Sequence, residues 1–257
     1  MLPLRDENPV SRPPIVTWLI IAACIVAYLA WQPGPFASSD QDSSDDTVFF
    51  LENAAIPCEV REGRPLDLQE VDATYRLGDV DSCDVDDGES DAVFPDKNVW
   101  LSVVTSIFMH GSLWHIGGNL LFLWVFGNNV EDVMGRLAYP VFYLVGGIVG
   151  TLAHVALEPD STVPVVGASG AIAAVMGAYL VLFPAARVRT LVFFVVVDIP
   201  AAVLLLFWFV LQFFTDPNDS VAWAAHVGGF VFGILAGLVV RAVRGPTRPV
   251  AFNWSGR

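Results

Sequence analysis

Charge is what this sequence has least of. Only 16% of its 257 residues are charged, against 54% that are hydrophobic, a balance that excludes an ordinary soluble domain of this length. Lysine and arginine are scarcer still, 13 against 27 acidic residues, for a net charge of −14. No basic cluster compensates, and that excludes nucleic acid as a partner. Cys58 and Cys83, two cysteines without nearby histidines, make a poor zinc site, so no metal is expected. There is no HExxH for a metalloprotease and no pair of aspartates inside an apolar run for an aspartyl protease. The GxSxG elbow of soluble hydrolases fails because Ala171 stands at its last glycine. The internal repeat that a transporter predicts is not visible between the two halves.

What is present is a series of long uncharged runs. A bilayer core of about 30 Å needs roughly 20 apolar residues in helix to cross it. Candidate spans are Pro14–Trp31, His115–Asn128, Leu137–Leu157, Ser169–Phe183, about Ile199–Phe214 and Val221–Val240. Val188–Val197 is apolar as well, but Asp198 and Pro200 interrupt it, so it reads as an interfacial approach to the fifth span. The expected fold is an all-α polytopic membrane protein of six spans. Its expected organisation is an N-terminal cytoplasmic segment (1–13), a first span (14–31), a long outer loop (32–112), a core of five spans (113–242) and a cytoplasmic tail (243–257).

Orientation follows from where the few basic residues fall. If the spans alternate, Arg5, Arg12, Arg136, Arg187, Arg189, Arg241, Arg244, Arg248 and Arg257 all lie on one side. The other side holds only Arg61, Arg64, Arg76 and Lys97, all in the long loop. Both termini are therefore read as cytoplasmic. The first run is long for a signal peptide and no small-x-small cleavage site follows at once, so it reads as a span. The long loop is strongly acidic, since 18 of the 27 acidic residues lie between Asp40 and Asp96. Such a composition reads as solvated and partly disordered. Cys58 and Cys83 lie in it and, outside the cytoplasm, most simply form a disulfide. Cys24, within the first span, reads as a small apolar filler.

Polar residues inside the spans are few, and each is a functional candidate or an interhelical hydrogen bond. His115 and Asn119 are spaced i, i+4 and share one face. His154 lies deep in the third span and reads as a packing or hydrogen-bonding residue. Fourteen residues separate Ser169 from Phe183, and fourteen separate His226 from Val240. At the helical rise each is about 21 Å from the same membrane face, so the hydroxyl and the imidazole share a level. Ser169, Ala173 and Gly177 form one small-residue stripe, and His226, Gly229, Gly233 and Gly237 form another. Two such stripes let backbones approach closely, which would bring the two side chains within reach. Serine needs a base to become a nucleophile, and histidine is the usual one near neutral pH. Oxyanion donors would come from the first-turn N–H groups at Ser169 and from His115 and Asn119. Ser169 is also expected to cap its own helix.

These residues resemble the rhomboid intramembrane serine proteases. The matching pieces are HGSLWHIGGN (His110, His115, Asn119), GASG (Gly167–Gly170) and AHVGGFVFG (His226, Gly229, Gly233), in the family's order, over about Val99 to Val240. The resemblance implies a six-helix rhomboid-like bundle and a Ser169–His226 dyad. Its oxyanion hole is the pair His115 and Asn119 with the Ser169 N–H. It implies cleavage of transmembrane-protein substrates within the lipid bilayer, with no cofactor, and the expected setting is a prokaryotic cell membrane. Glu131 matches an acidic position of the family and reads as structural, and His110 as seating the loop near the site. Two features depart from the pattern. The Trp-Arg pair of many members' first outer loop is absent, and Ala173 stands where some members carry an aromatic residue beside the histidine. A catalytically silent relative that only binds membrane proteins would be favoured by loss of Ser169 or His226, and both are present.

Overall fold

The computed structural model describes residues 1–33, 40–83, 91–215 and 222–245. The acidic stretch 84–90, the loop 216–221 and the tail from 246 onward lie outside the described residues. The chain opens with strand β1 (Leu2–Asp6) and helix α1 (Ile15–Val26), which runs on in a wider turn to Trp31. Helices α2 (Asp40–Asn53), α3 (Pro57–Glu62), α4 (Leu68–Asp72) and α5 (Val99–Thr105) follow. Then come α6 (Leu113–Met134), α7 (Ala138–Leu157) and α8 (Ser169–Leu182). Strands β2 (Arg187–Val192) and β3 (Val195–Pro200) form a hairpin before α9 (Ala201–Leu211) and α10 (Trp223–Arg244).

By length and composition, α7 and α10 can each cross a membrane. A third span results if Val99–Phe108 and Leu113–Met134, bent by 77°, are taken together. Ile15–Trp31, Ser169–Leu182 and Ala201–Phe214 are shorter apolar helices.

Helix α8 is the hub. From Gly170 to Ala178 it is built of Gly, Ala, Val, Ile and Met and is buried on every side, as expected of a helix that is apolar all round. Small residues bring α10 against it. A methyl on Gly233 would stand 2.0 Å from the Ala174 carbonyl oxygen, and one on Gly177 would stand 2.1 Å from that of Phe230. Gly237 is less tightly held, a methyl there standing 3.1 Å from the Ala178 Cα. Helix α1 has no cap of its own. Glu131 of α6 supplies one, accepting the Val16 and Thr17 N–H groups at 3.0 and 2.8 Å and the Thr17 hydroxyl at 2.8 Å.

Two expectations change here. The chain is not all-α, because β1, β2 and β3 form an antiparallel sheet in that order, with Leu2 opposite Leu191 and Asp6 opposite Val188. The run expected only to approach the interface is thus a hairpin, favoured by its β-branched Val188, Thr190, Val192, Val195, Val196, Val197 and Ile199. Asp198, which broke the apolar run, pairs with Arg189 at 3.3 Å.

At the other end of β1, Asp6 accepts the Tyr179 hydroxyl at 2.5 Å and the Asn129 amide at 2.6 Å. Burial pushes its carboxyl from the ordinary 3.8 up to about 6, against the pull of the Tyr179 hydrogen bond. The raised value means that Asp6 contributes stability in full below about pH 4, and that this contribution fades as pH rises through 6. Thermal midpoints between pH 4 and 7 should therefore decline more in wild type than in Asp6→Asn. Parallel profiles would show that Asp6 titrates as an ordinary surface acid.

The second change concerns the acidic loop. Its described part is folded around Leu51, Ile56, Cys58 and Leu66. The buried Lys97–Glu59 ion pair ties the return strand of chain to α3, and Lys97 also donates to the Leu51 carbonyl at 2.6 Å. Cys58 and Cys83 are joined across a separation of 25 residues, a closure worth about 3 kcal/mol on chain-entropy grounds. Cys83→Ser should lower the unfolding midpoint of this unit in a proteolysis or calorimetric scan. An unchanged midpoint would mean that the small apolar core holds the unit alone.

Candidate active site

Gly167 sits where α5, α6 and α8 meet. Its φ of +126° belongs to a region that side chains rarely adopt, and a Cβ there would stand 2.6 Å from His115 Nε2. Its N–H donates to the Ser106 carbonyl at 2.9 Å. Ala168 takes the cap position of α8 without a side-chain hydrogen bond, so Ser169 is the first helical residue and does not cap it, contrary to expectation. The physical reason is one of register. Ala168 already has helical backbone angles, φ −68° and ψ −6°, so the helix begins before Ser169 could take the extended backbone from which a side chain caps. The Ser169 hydroxyl is left half-buried without a hydrogen bond among the described residues, beside first-turn N–H groups that have no intrahelical partner.

His226 lies on α10 beside Ala225, and the Ala225 carbonyl oxygen is 3.6 Å from the position of a Gly170 Cβ. The residue after Ser169 therefore touches the residue before His226. One turn further on, a methyl on Gly229 would stand 2.1 Å from the Gly170 carbonyl oxygen and 3.4 Å from the Ala173 Cβ. The four small residues expected to mediate packing, Ala173, Gly177, Gly229 and Gly233, all lie in this seam.

The first turn of α6 presents donors to the same place. Ser112 caps it, accepting the His115 N–H at 3.1 Å. His115 Nδ1 accepts the Gly111 N–H at 3.4 Å, so its proton belongs on Nε2, the atom facing Gly167. Asn119, one turn on, directs Nδ2 to 3.6 Å from the Gly167 Cβ position. That amide nitrogen is buried and has no hydrogen-bond partner among the described residues. His110 is fully buried, with its ring edge-on to His115 at 5.2 Å. His154 lies on α7 with Nε2 3.7 Å from Glu158.

Several residues here were not anticipated. Gln212, in the turn after α9, meets His226 Nδ1 at 2.6 Å. It is the one amide in the fifth apolar run, and that isolation was its signal in the sequence. Trp208 stands against the His226 ring at 5.8 Å, so an aromatic neighbour comes from α9 although Ala173 offers none. Gln32, at the end of the first helix, clamps the His110 backbone in both directions, at 2.8 and 3.0 Å. The folded part of the acidic loop also holds the segment that leads to Ser169. Ala55 donates to Ser106 Oγ at 2.7 Å and accepts from Val165 at 2.8 Å, while Cys58 donates to the Ser161 carbonyl at 2.9 Å.

A helical membrane protein with a short buried central helix is the class these features define. The chain belongs to the rhomboid family: residues 97–243 match the rhomboid domain. Over 146 residues it is 31% identical to Rhomboid protein 1, mitochondrial, of Saccharomyces cerevisiae, covering 53% of this chain and 41% of that protein. Over 147 residues it is 33% identical to Rhomboid-related protein 2 of Mus musculus, covering 53% of this chain and 47% of that one. Over 81 residues it is 37% identical to Rhomboid protease GluP of Bacillus subtilis, covering 32% and 15%. The chain spans less than half the length of these curated relatives. One of them is mitochondrial and one is bacterial, so they point to a membrane and not to one compartment.

Proposed function

We propose that this protein is an intramembrane serine protease that hydrolyses peptide bonds in or near transmembrane segments of other membrane proteins. The observation that carries the reading is the buried, unpartnered Asn119 amide facing Gly167 together with His115 Nε2. A buried donor left without an acceptor is costly, and it is accounted for if a substrate oxyanion is its partner. Ser169 Oγ attacks the scissile carbonyl and its proton passes to His226. The Ser169 N–H, His115 and Asn119 hold the negative charge that develops. His226 then protonates the departing amine, and water releases the acyl group by the same steps in reverse order. No metal or nucleotide takes part.

The bundle has six spans in this reading, formed by the first helix, α6, α7, α8, α9 and α10, with both termini cytoplasmic. The short α8, of 14 residues, spans only about 21 Å, which leaves Ser169 below the outer surface where water must reach it. A substrate helix shields its own peptide bonds, so segments weakened by Gly or Pro are the preferred targets.

The direct test is fluorophosphonate labelling of the full chain in lipid vesicles, with the adduct mapped by mass spectrometry. Label on Ser169 supports the reading. A protein that stays unlabelled and leaves a generic transmembrane substrate uncut, yet binds it, is a silent relative instead. Asn119→Ala should lower kcat by about 10²- to 10³-fold, the loss typical of one oxyanion donor, with KM little changed. An unaltered kcat would remove Asn119 from the oxyanion hole.

A further inference from the structure

The pairing of His226 with Gln212 decides which imidazole nitrogen is free. Gln212 Nε2 donates to the Trp208 carbonyl at 3.0 Å. A carbonyl only accepts, so the amide group facing Trp208 must be the NH₂, and the group facing His226 must be the oxygen. That oxygen meets His226 Nδ1 at 2.6 Å and can itself only accept. Nδ1 therefore carries the proton, and the lone pair is on Nε2. Gln212 is buried, and the carbonyl that holds it belongs to the last turn of α9, where helical carbonyls lack intrahelical donors. The amide is thus held at both ends by groups that permit only one orientation. Trp208, one turn before it on the same helix, also stands against the His226 ring.

We infer that Gln212 is a positioning residue that fixes His226 in the Nδ1–H tautomer and so keeps Nε2 free to take the proton of Ser169. This rests on the dyad reading, and it supplies the orienting partner for which the sequence offers no acid. During the reaction Nε2 gains a proton and Nδ1 keeps its own, so the Gln212 hydrogen bond persists and strengthens as the ring becomes cationic. The other titratable groups near the ring are His115 on α6 and His154 on α7, the latter paired with Glu158.

The test uses the full chain in vesicles with a generic transmembrane substrate, comparing wild type, Gln212→Met, Gln212→Glu and Ser169→Ala. Met keeps the length of the side chain and removes the acceptor. It should lower kcat about 10- to 100-fold, the range seen when a partner orienting a functional histidine is lost, with KM within about two-fold. Glu restores an acceptor and adds charge, so it should recover kcat to within about three-fold of wild type. It should also move the acid limb of the pH–rate profile to higher pH by about one unit, because a carboxylate favours the imidazolium. Wild-type kcat in Gln212→Met overturns the inference, as does a Glu variant as slow as Met with an unmoved acid limb. If the Met variant does not fold, the Glu profile alone decides. Each of these results leaves the dyad standing, whereas cleavage undiminished in Ser169→Ala removes the dyad and this inference with it.

Discussion

Ser169→Ala is expected to abolish labelling and to reduce cleavage by about 10⁴- to 10⁶-fold, the loss produced when a serine nucleophile is deleted. The fold should not notice. The Ser169 hydroxyl makes no hydrogen bond among the described residues and is only half-buried. Its removal leaves no orphaned partner and opens a negligible cavity, so stability should change by less than about 0.5 kcal/mol. His226→Ala should be as inactive, because an unassisted serine is a weak nucleophile. Unlike Ser169→Ala, it leaves Gln212 without its imidazole and Trp208 without its ring neighbour, so some loss of stability is expected. In the proposed mechanism the two groups act as a unit, so the double variant should be no slower than either single one. Cleavage assays with each variant, beside their thermal midpoints, separate these effects. Retained cleavage in a folded Ser169→Ala protein would end the proposal.

Gly229→Ala should be nearly as damaging, although it touches no substrate. The new methyl would lie 2.1 Å from the Gly170 carbonyl oxygen, a contact that no Cβ tolerates, and the atom it meets is backbone. A flexible side chain could move aside, but two helices must separate. Overpacking of this kind costs about 1–3 kcal/mol. The displacement falls between Gly170, next to the proposed nucleophile Ser169, and the turn of α10 that carries His226. A shift of about 1 Å between reacting groups can slow a reaction about 10²-fold. The expected result is therefore a folded, less stable protein with kcat down about 10²-fold and weaker fluorophosphonate labelling. Gly228→Ala makes a useful comparison, because its methyl would meet the Ala153 Cβ of α7 instead. Equal activity losses at the two positions would show that the bundle responds to any crowding and that the α8–α10 seam has no special role.

The apolar helices were readable because such a segment repeats one requirement, apolarity, over its whole length. The expected run Leu137–Leu157 and the observed helix Ala138–Leu157 differ by a single residue. The small-residue faces of α8 and α10 were readable too, because helical spacing fixes which residues share a face. The fold of the acidic loop was not. Its core rests on a few irregularly spaced residues, Leu51, Ile56, Cys58 and Leu66, among many acids. Average composition concealed them. The hairpin was missed for a different reason. Its third strand, β1, lies more than 180 residues away along the chain, and neither partner shows the register that joins Leu2 to Leu191.

By itself, then, the sequence determined the apolar helices, the small-residue seams and the residue types able to do acyl transfer, all of which follow from local periodicity. Only the tertiary structure decided how those groups are poised. It placed the Asn119 amide, buried and unpartnered, against Gly167, and it turned Gln212 between the Trp208 carbonyl and His226. It also laid the folded part of the acidic loop on the segment leading to Ser169. Donor direction and tautomer depend on which atoms meet across separate helices, and no spacing within one helix contains that information.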